Sequence, residues 1–299
     1  MNLDTERGRI IEAIKKILPD DKSSKVAKAT QYMTVENPGS FWRPLLCVAA
    51  GRAYGVSSDV LYKIAAISEL AQGSSLGLDD LPCMDNADLR RGQPSTHKRF
   101  GENCAILGSF ALVSRSILTA TNNKGLEDEQ VREILHELGY ALEAMVFGQE
   151  RDLSQRNLND LASIVYGLYA QKTGVLFGAA VAMGGVVGEA DEEDIRRLRS
   201  FGHYLGIAYQ IGDDLYDASS VNGNLGKPKG KDAGKKTALT ILMNKSKVIA
   251  LKRETDKRAF RELNLVRRGD MRYLEHVARA IGNIHEPYMQ SNSSLVSRR

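Results

Sequence analysis

All seven prolines of this chain lie at or before Pro94, or at Pro228 and beyond, and the long interval between them contains none. Proline is the residue a helix interior excludes most strongly, because its ring removes a backbone donor and collides with the preceding turn. The interval therefore reads as a succession of helices. Apolar residues within it keep helical spacing: Ile134, Leu138, Ala141, Leu142, Met145 and Val146 fall on one stripe. No stretch alternates apolar and polar residues between hairpin turns, so strands are not expected. The fold class that follows is all-α, a single helical domain over residues 1–299.

Composition enters as a limit on function. Hydrophobic residues make up 42% and charged residues 26%, a balance that supports a buried core. A formal net charge of +4 is small for this length, and no basic run is interleaved with aromatics. A nucleic-acid partner is therefore not expected. Cys47, Cys83 and Cys104 are far apart and form no CxxC pair, which argues against a zinc site and fits a reducing, cytoplasmic setting. The N-terminus has early acids and no apolar run, unlike a signal peptide. The longest uncharged stretch, Thr173 to Gly188, contains five glycines and is shorter than the roughly 20 residues a membrane span needs. It reads as a buried core helix, and no membrane span is expected. Breaks are expected at Pro19–Ser24, Glu36–Gly39, Asn122–Gly125 and Asn222–Gly234, the last a basic loop, and the polar tail at about residues 290–299 reads as frayed.

Two aspartate clusters carry the chemistry. Asp213-Asp214-Leu215-Tyr216-Asp217 follows the helical segment Leu205–Gly212. Positions i and i+4 share a helix face, so Asp213 and Asp217 project together. Carboxylates a turn apart repel one another unless a cation sits between them. Hard oxygen donors suit Mg²⁺, which retains waters and completes its coordination with substrate phosphates. Alone, the cluster reads equally well as a solvated acidic face. The second cluster, Asp79-Asp80-Leu81-Pro82-Cys83-Met84-Asp85, follows the apolar segment Leu61–Leu78. Pro82 disfavours helix at Leu81, so the chain leaves the helix after the paired acids and Asp85 can fold back towards them. Arg90-Arg91-Gly92 comes next, and Lys227, Lys229, Lys231, Lys235 and Lys236 follow the other cluster. Acids for a cation beside guanidiniums for phosphate oxygens make both halves of a diphosphate site.

At these residues the chain resembles the trans-isoprenyl diphosphate synthases (polyprenyl synthetases), most of all bacterial geranylgeranyl and farnesyl diphosphate synthases. Asp79-Asp80-xxxx-Asp85 with Arg90-Arg91-Gly92 is similar to the family's first aspartate motif, and Asp213-Asp214-xx-Asp217, preceded by Gln210, to its second. Gly148-Gln149 and Lys172-Thr173-Gly174 fall between them in the family's order. Lys227-xx-Gly230-x-Asp232 with Lys235-x-Thr237 resembles its lysine loop. The resemblance runs from about Pro38 to Thr237. It implies an isoprenoid-synthase-type bundle around a central active-site cavity, usually a homodimer. It implies a prenyltransferase that condenses isopentenyl diphosphate with an allylic diphosphate. Asp79, Asp80, Asp85, Asp213, Asp214 and Asp217 would hold Mg²⁺, about three ions per site and replaceable by Mn²⁺. Arg90, Lys172, Lys227 and Lys235 would contact the allylic leaving group, while Thr173 and Gln210 would turn oxygen dipoles to the allylic cation. Neutralising the leaving diphosphate is then the catalytic term.

One segment departs from the family's pattern. Where Gly-Gly-Lys-Arg-x-Arg-Pro is usual, this chain has Pro38-Gly39-Ser40-Phe41-Trp42-Arg43-Pro44. Ser40 stands where a lysine grips isopentenyl diphosphate, which leaves Arg43, Gln72 and Arg91 for that substrate. A charged hydrogen bond is worth roughly 1.5–3 kcal/mol, so its loss weakens binding about tenfold or more. This substitution keeps two alternatives in view, a same-fold lyase or cyclase acting on one prenyl diphosphate and a weakly active partner subunit. Ser74 and Ser75 precede Asp79 by about a turn and are expected to line the channel for the growing chain, with Gly73 and Gly77 leaving further room. Small residues there point to a twenty-carbon product, geranylgeranyl diphosphate, with farnesyl diphosphate as the alternative. His97, His203, Phe41 and Trp42 read as packing residues.

Overall fold

The computed structural model describes residues 1–154, 160–220 and 239–289, without the side chains of residues 219, 220, 240 and 241. Lys227, Lys229, Lys231, Lys235, Lys236 and the tail expected to fray lie outside the described residues. The described chain is helical almost throughout: α1 (Leu3–Ile17), α2 (Lys25–Gln31), α3 (Trp42–Ala53), α4 (Asp59–Asp79), α5 (Thr96–Phe100), α6 (Glu102–Thr121), α7 (Asp128–Ser154), α8 (Val175–Val187), α9 (Glu192–Ser220), α10 (Leu239–Leu242), α11 (Lys245–Asn264) and α12 (Arg272–Met289). Two π-helical segments extend this set, Tyr32–Glu36 after α2 and Ser163–Gly174 before α8. Side chains cap several starts. The Asn2 carboxamide accepts from the amides of Asp4 and Thr5, Ser24 Oγ from Ala27, and Asn244 Oδ1 from Lys247. Each satisfies a donor that the first helical turn leaves without an internal partner.

α8 is the hub. All of its 13 residues are buried, and it packs against α3, α4, α7 and α9. Helices this close need small residues at the crossing. A Cβ on Gly184 would run into the backbone carbonyl of Cys47 in α3, and one on Gly202 in α9 would stand 2.6 Å from the carbonyl oxygen of Phe177. The expected buried helix at Thr173–Gly188 is therefore present but longer. The continuous helical run Ser163–Val187 is, by length and composition, apolar enough to cross a membrane, yet 89% of its apolar window is buried in the fold. α6 passes the same test with 39% buried, because one of its faces points outward.

Three expectations are corrected. The apolar stripe of α7 ends at Met145, since Leu142 is half-buried and Val146 is 67% exposed. Strand is present, as the two-residue pair β1 (Leu89–Arg90) and β2 (Gln93–Pro94), which form an antiparallel ladder. Its turn places Arg91 at φ 53° and Gly92 at φ 77°. Positive φ at both central residues is the primed turn that suits the twist of a two-residue hairpin. Gly73 and Gly77 do not open a channel, because Met33 and Thr34 pack onto Gly73 and Met33 and Ser109 onto Gly77.

The α3–α8 crossing yields a stability test. Gly184→Ala should lower stability by about 1–3 kcal/mol through overpacking against Cys47, despite the better helix propensity of alanine. The measurement is urea denaturation; a midpoint that rises would show that the two backbones are not in contact there.

Candidate active site

α4 ends at Asp79, with Asp80 as its cap, as Pro82 requires. The chain then folds back: the Asp85 amide donates to the Asp79 carbonyl at 2.9 Å, and the Ala87 amide to the Asp80 carbonyl at 3.1 Å. The hairpin brings Arg90 onto Asp80. Its Nε lies 3.1 and 3.2 Å from the two carboxylate oxygens, and a terminal nitrogen completes the two-pronged grip. Asp80 is 1% exposed, while Arg90 keeps 33% of its side chain open to solvent, so the pair is half-buried.

Asp79 has a different counter-ion. Burial raises its pKa to about 6 against the pull of Lys172, with Asp85 adding repulsion. Lys172 leaves the π-helical segment and binds Asp152 of α7, and the fields of Asp152, Asp79 and Asp85 hold its pKa above the usual lysine value despite burial. Gln149 Nε2 reaches Asp85 Oδ1 at 3.4 Å. Gly148 is what lets α7 come so close, since a Cβ there would stand 2.7 Å from the Lys172 amide nitrogen. Asp152 carries no motif of its own at the sequence level beyond its place shortly after Gly148-Gln149.

The next residue, Thr173, faces the other cluster. Its hydroxyl donates to Gln210 Oε1 at 3.0 Å, and Gln210 in turn bonds Asp214. Asp214 is 8% exposed and accepts from the Tyr169 hydroxyl and, at 3.0 Å, from the Leu239 amide. Burial nonetheless outweighs these bonds and raises its pKa to about 6. Asp213 is engaged by His285 from α12. Tyr169 and His285 have no sequence signal, because each reaches the cluster from another helix. A single helical turn thus faces both aspartate sets, with Lys172 in the field of Asp79 and Asp85 and Thr173 bonded to Gln210 beside Asp214.

A cationic pocket adjoins. The Arg43 guanidinium lies over the Phe177 ring at 4.5 Å, and its Nε is buried with no hydrogen-bond partner among the described residues. Burial lowers its pKa to about 10, opposed by Glu69. Glu69, 3% exposed, with an Oε1 that has no hydrogen-bond partner among the described residues, is pushed up by burial and pulled back by Arg91 and Arg43. Arg91 donates to the Asn37 carbonyl at 2.6 Å and lies against Gly39. Glu69 went unnoticed in the sequence because an acid inside an apolar helix shows no partner there. Ser40 is exposed, and its carbonyl accepts from Arg7 Nε at 3.3 Å, with the Arg7 guanidinium 5.1 Å from the Trp42 ring centre. Gln72 is half-buried, Ser74 is 3% exposed, and the Ser75 hydroxyl donates to the Gln72 carbonyl at 3.0 Å. Phe41, Trp42 and His97 are buried, and burial lowers the His203 pKa.

Among the described residues, no three His, Cys, Asp or Glu side chains converge tightly enough to cage a metal ion. That suits Mg²⁺ held by one or two carboxylates and completed by phosphate oxygens and water. The donors are hard oxygens, Asp79 and Asp214 are under-neutralised, and Asp79 lies at the negative end of the α4 dipole. The donor set fits a divalent cation brought in with a diphosphate.

The polyprenyl synthetase family model matches residues 23–278. Geranylgeranyl pyrophosphate synthase 10 of Arabidopsis thaliana is 36% identical over 236 residues, covering 76% of this chain and 68% of that one. The geranylgeranyl diphosphate synthase of Pseudescherichia vulneris is 35% identical over 244 residues, covering 80% and 78%. A Helicobacter pylori geranyltransferase, solved with magnesium and isoprenyl diphosphate, superposes with a TM-score of 0.79 at 26% identity, covering 95% and 96%.

Burial of Asp79 makes a pH prediction. Its proton is held more tightly in the folded chain (about 6) than at the ordinary value of 3.8, so it costs stability as pH rises through that window and keeps the full cost above it. Asp79→Asn should therefore raise the melting temperature of the metal-free protein at neutral pH and raise it less at about pH 5. Differential scanning fluorimetry at both pH values checks this. A neutral-pH melting temperature below wild type would contradict it.

Proposed function

This chain belongs to the polyprenyl synthetase family, and we propose that it condenses isopentenyl diphosphate with an allylic prenyl diphosphate to make geranylgeranyl diphosphate. The observation that carries the reading is the turn at Lys172 and Thr173, which links the aspartates of α4 to those of α9. In the reaction, the allylic carbon–oxygen bond breaks and that carbon bonds to the terminal alkene carbon of isopentenyl diphosphate. A proton then leaves to the released diphosphate. When bound, Mg²⁺ supplies charge neutralisation of the leaving diphosphate. Asp79, Asp80, Asp85, Asp213, Asp214 and Asp217 would be its ligands, four of them oriented by Arg90, Gln149, His285 and Tyr169. The Helicobacter pylori relative, solved with magnesium and isoprenyl diphosphate, supports the choice of cation and substrate class.

The chain's own groups share the remaining work. Lys172 donates to the allylic diphosphate, and Arg90 offers it the terminal nitrogen that its grip on Asp80 leaves over. Thr173 and Gln210 present oxygen dipoles to the developing cation. Arg43 and Arg91, with Glu69 balancing their charge, receive isopentenyl diphosphate beside Gln72. Lys227 and Lys235 keep their proposed phosphate roles outside the described residues. Arg7 beside Ser40 means that a guanidinium borders the position that lacks lysine, which favours condensation over the single-substrate reading. Ser74 and Ser75 are proposed as channel wall without help from Gly73 and Gly77, and the relatives named geranylgeranyl synthases support twenty carbons. A homodimer would cover the outward stripe of Leu107, Phe110 and Leu118 on α6 with Tyr140 and Phe147 on α7, all at least 45% exposed. A cytoplasmic location completes the proposal.

Incubation with farnesyl diphosphate, isopentenyl diphosphate and Mg²⁺ should give a twenty-carbon diphosphate by mass spectrometry. EDTA or Asp213→Ala should lower turnover by at least about a hundredfold. Undiminished product in either case would end the reading. Ser40→Lys should lower KM for isopentenyl diphosphate about tenfold and change that for the allylic substrate less. Equal KM values in wild type and variant would place residue 40 away from the diphosphate.

A further inference from the structure

The second aspartate cluster is also held from a part of the chain that the family match does not reach. That match ends at residue 278, while α12 continues to Met289 and delivers His285. The imidazole is 1% exposed, and its Nε2 lies 3.1 Å from Asp213 Oδ1. Since the partner is a carboxylate oxygen, Nε2 carries the hydrogen and donates. Nδ1 is buried and has no hydrogen-bond partner among the described residues, a setting that suits a bare ring nitrogen and not an N–H. The ring lies flat on the backbone of α9 at Gly212. A Cβ there would run into Nδ1 and Cγ and stand 2.6 Å from Cε1, so glycine next to Asp213 is what admits the histidine. Tyr209 closes the other side, edge-to-face with the imidazole at 5.3 Å, and Tyr288 packs on Tyr216 at 5.0 Å. The same stretch of α12 is therefore docked along the aspartate turn of α9.

We propose that His285 is a positioning residue for Asp213: its Nε2–H fixes one carboxylate oxygen and leaves the other as the donor to the cation of the Mg²⁺–diphosphate complex. The proposal rests on Asp213 being a ligand of that complex. The side chain of Asp213 is 39% exposed, so without an anchor it would sample several rotamers, and only some of them present an oxygen to the cation. Through this bond the end of α12, beyond the family match, sets the geometry of the metal site. Neither a proton transfer nor a change of protonation is involved.

The test is isothermal titration of Mg²⁺ into the full-length protein saturated with inorganic diphosphate. Melting temperatures are recorded alongside. His285→Phe keeps a ring of similar shape and removes the donor; Mg²⁺ affinity should fall about tenfold or more while the melting temperature stays near wild type. His285→Gln returns a donor and should recover most of the affinity. Gly212→Ala keeps both side chains and improves helix propensity, yet should also weaken Mg²⁺ binding by displacing the ring. Wild-type affinity in His285→Phe, or in Gly212→Ala, overturns the proposal. If His285→Phe does not fold, Gly212→Ala and His285→Gln decide the matter. Asp213→Ala is the reference: weakened Mg²⁺ binding there, with none in His285→Phe, sinks this inference alone. Wild-type binding in Asp213→Ala sinks the underlying function as well.

Discussion

Negative charge is concentrated at the places where helices least welcome it. Asp79 and Asp80 close α4, where unpaired carbonyls already make the helix end electronegative, and Asp213, Asp214 and Asp217 gather a second set of carboxylates on α9. Burial compounds the problem by stripping water from Asp80 and Asp214. The surrounding structure answers with one neighbour apiece for four of these acids: Arg90 for Asp80, Lys172 near Asp79, Tyr169 for Asp214 and His285 for Asp213. Those neighbours come from the hairpin, the π-helical segment and α12, so the need to balance these acids shapes much of the chain's path. The balance is incomplete, since Asp79 and Asp214 both hold protons more tightly than an ordinary aspartate. In the proposed reaction, that residual charge is what makes the site receptive to cations arriving with the substrate.

Such a site needs a rigid frame, and α8 provides it. A helix buried on all sides fixes its neighbours by shape, and protein interiors packed to crystal-like density do not deform gradually. Phe177 shows how frame and site meet: its ring is 1% exposed in the core and carries the Arg43 guanidinium on one face. The cation is thereby steadied by an apolar surface.

What the sequence revealed and what it hid divide along a physical line. The all-helical fold, the aspartate pairs, Arg90-Arg91-Gly92 and the break at Pro82 depend on neighbours within a turn or two, and short-range spacing carries that information. Lys172, Thr173 and Gln210 were identified by family resemblance and not by pattern, and the structure brings Thr173 and Gln210 within a hydrogen bond. Asp152, Glu69, Tyr169 and His285 were missed because their partners are far away in the chain. Gly73 and Gly77 were misread for a related reason. A glycine looks the same in sequence whether it opens a cavity or admits a neighbour's side chain, and here Met33 fills the space. The hairpin escaped notice because two-residue strands are too short to show alternation.

The π-helical run Ser163–Gly174 constrains the length of the chain as well as its composition. A wide turn accommodates one residue more than a regular helix of the same length, and such irregularities persist mostly where function holds them in place. Deleting one residue from this run would let the backbone relax to ordinary helical hydrogen bonding. It would also rotate everything upstream against Lys172 and Thr173 by about 100°, the advance of one residue in an α-helix. Substitutions along the segment can be absorbed one side chain at a time, whereas a change in its length cannot. The length of this helical run, and not only the identity of its residues, therefore sets where Lys172 and Thr173 point.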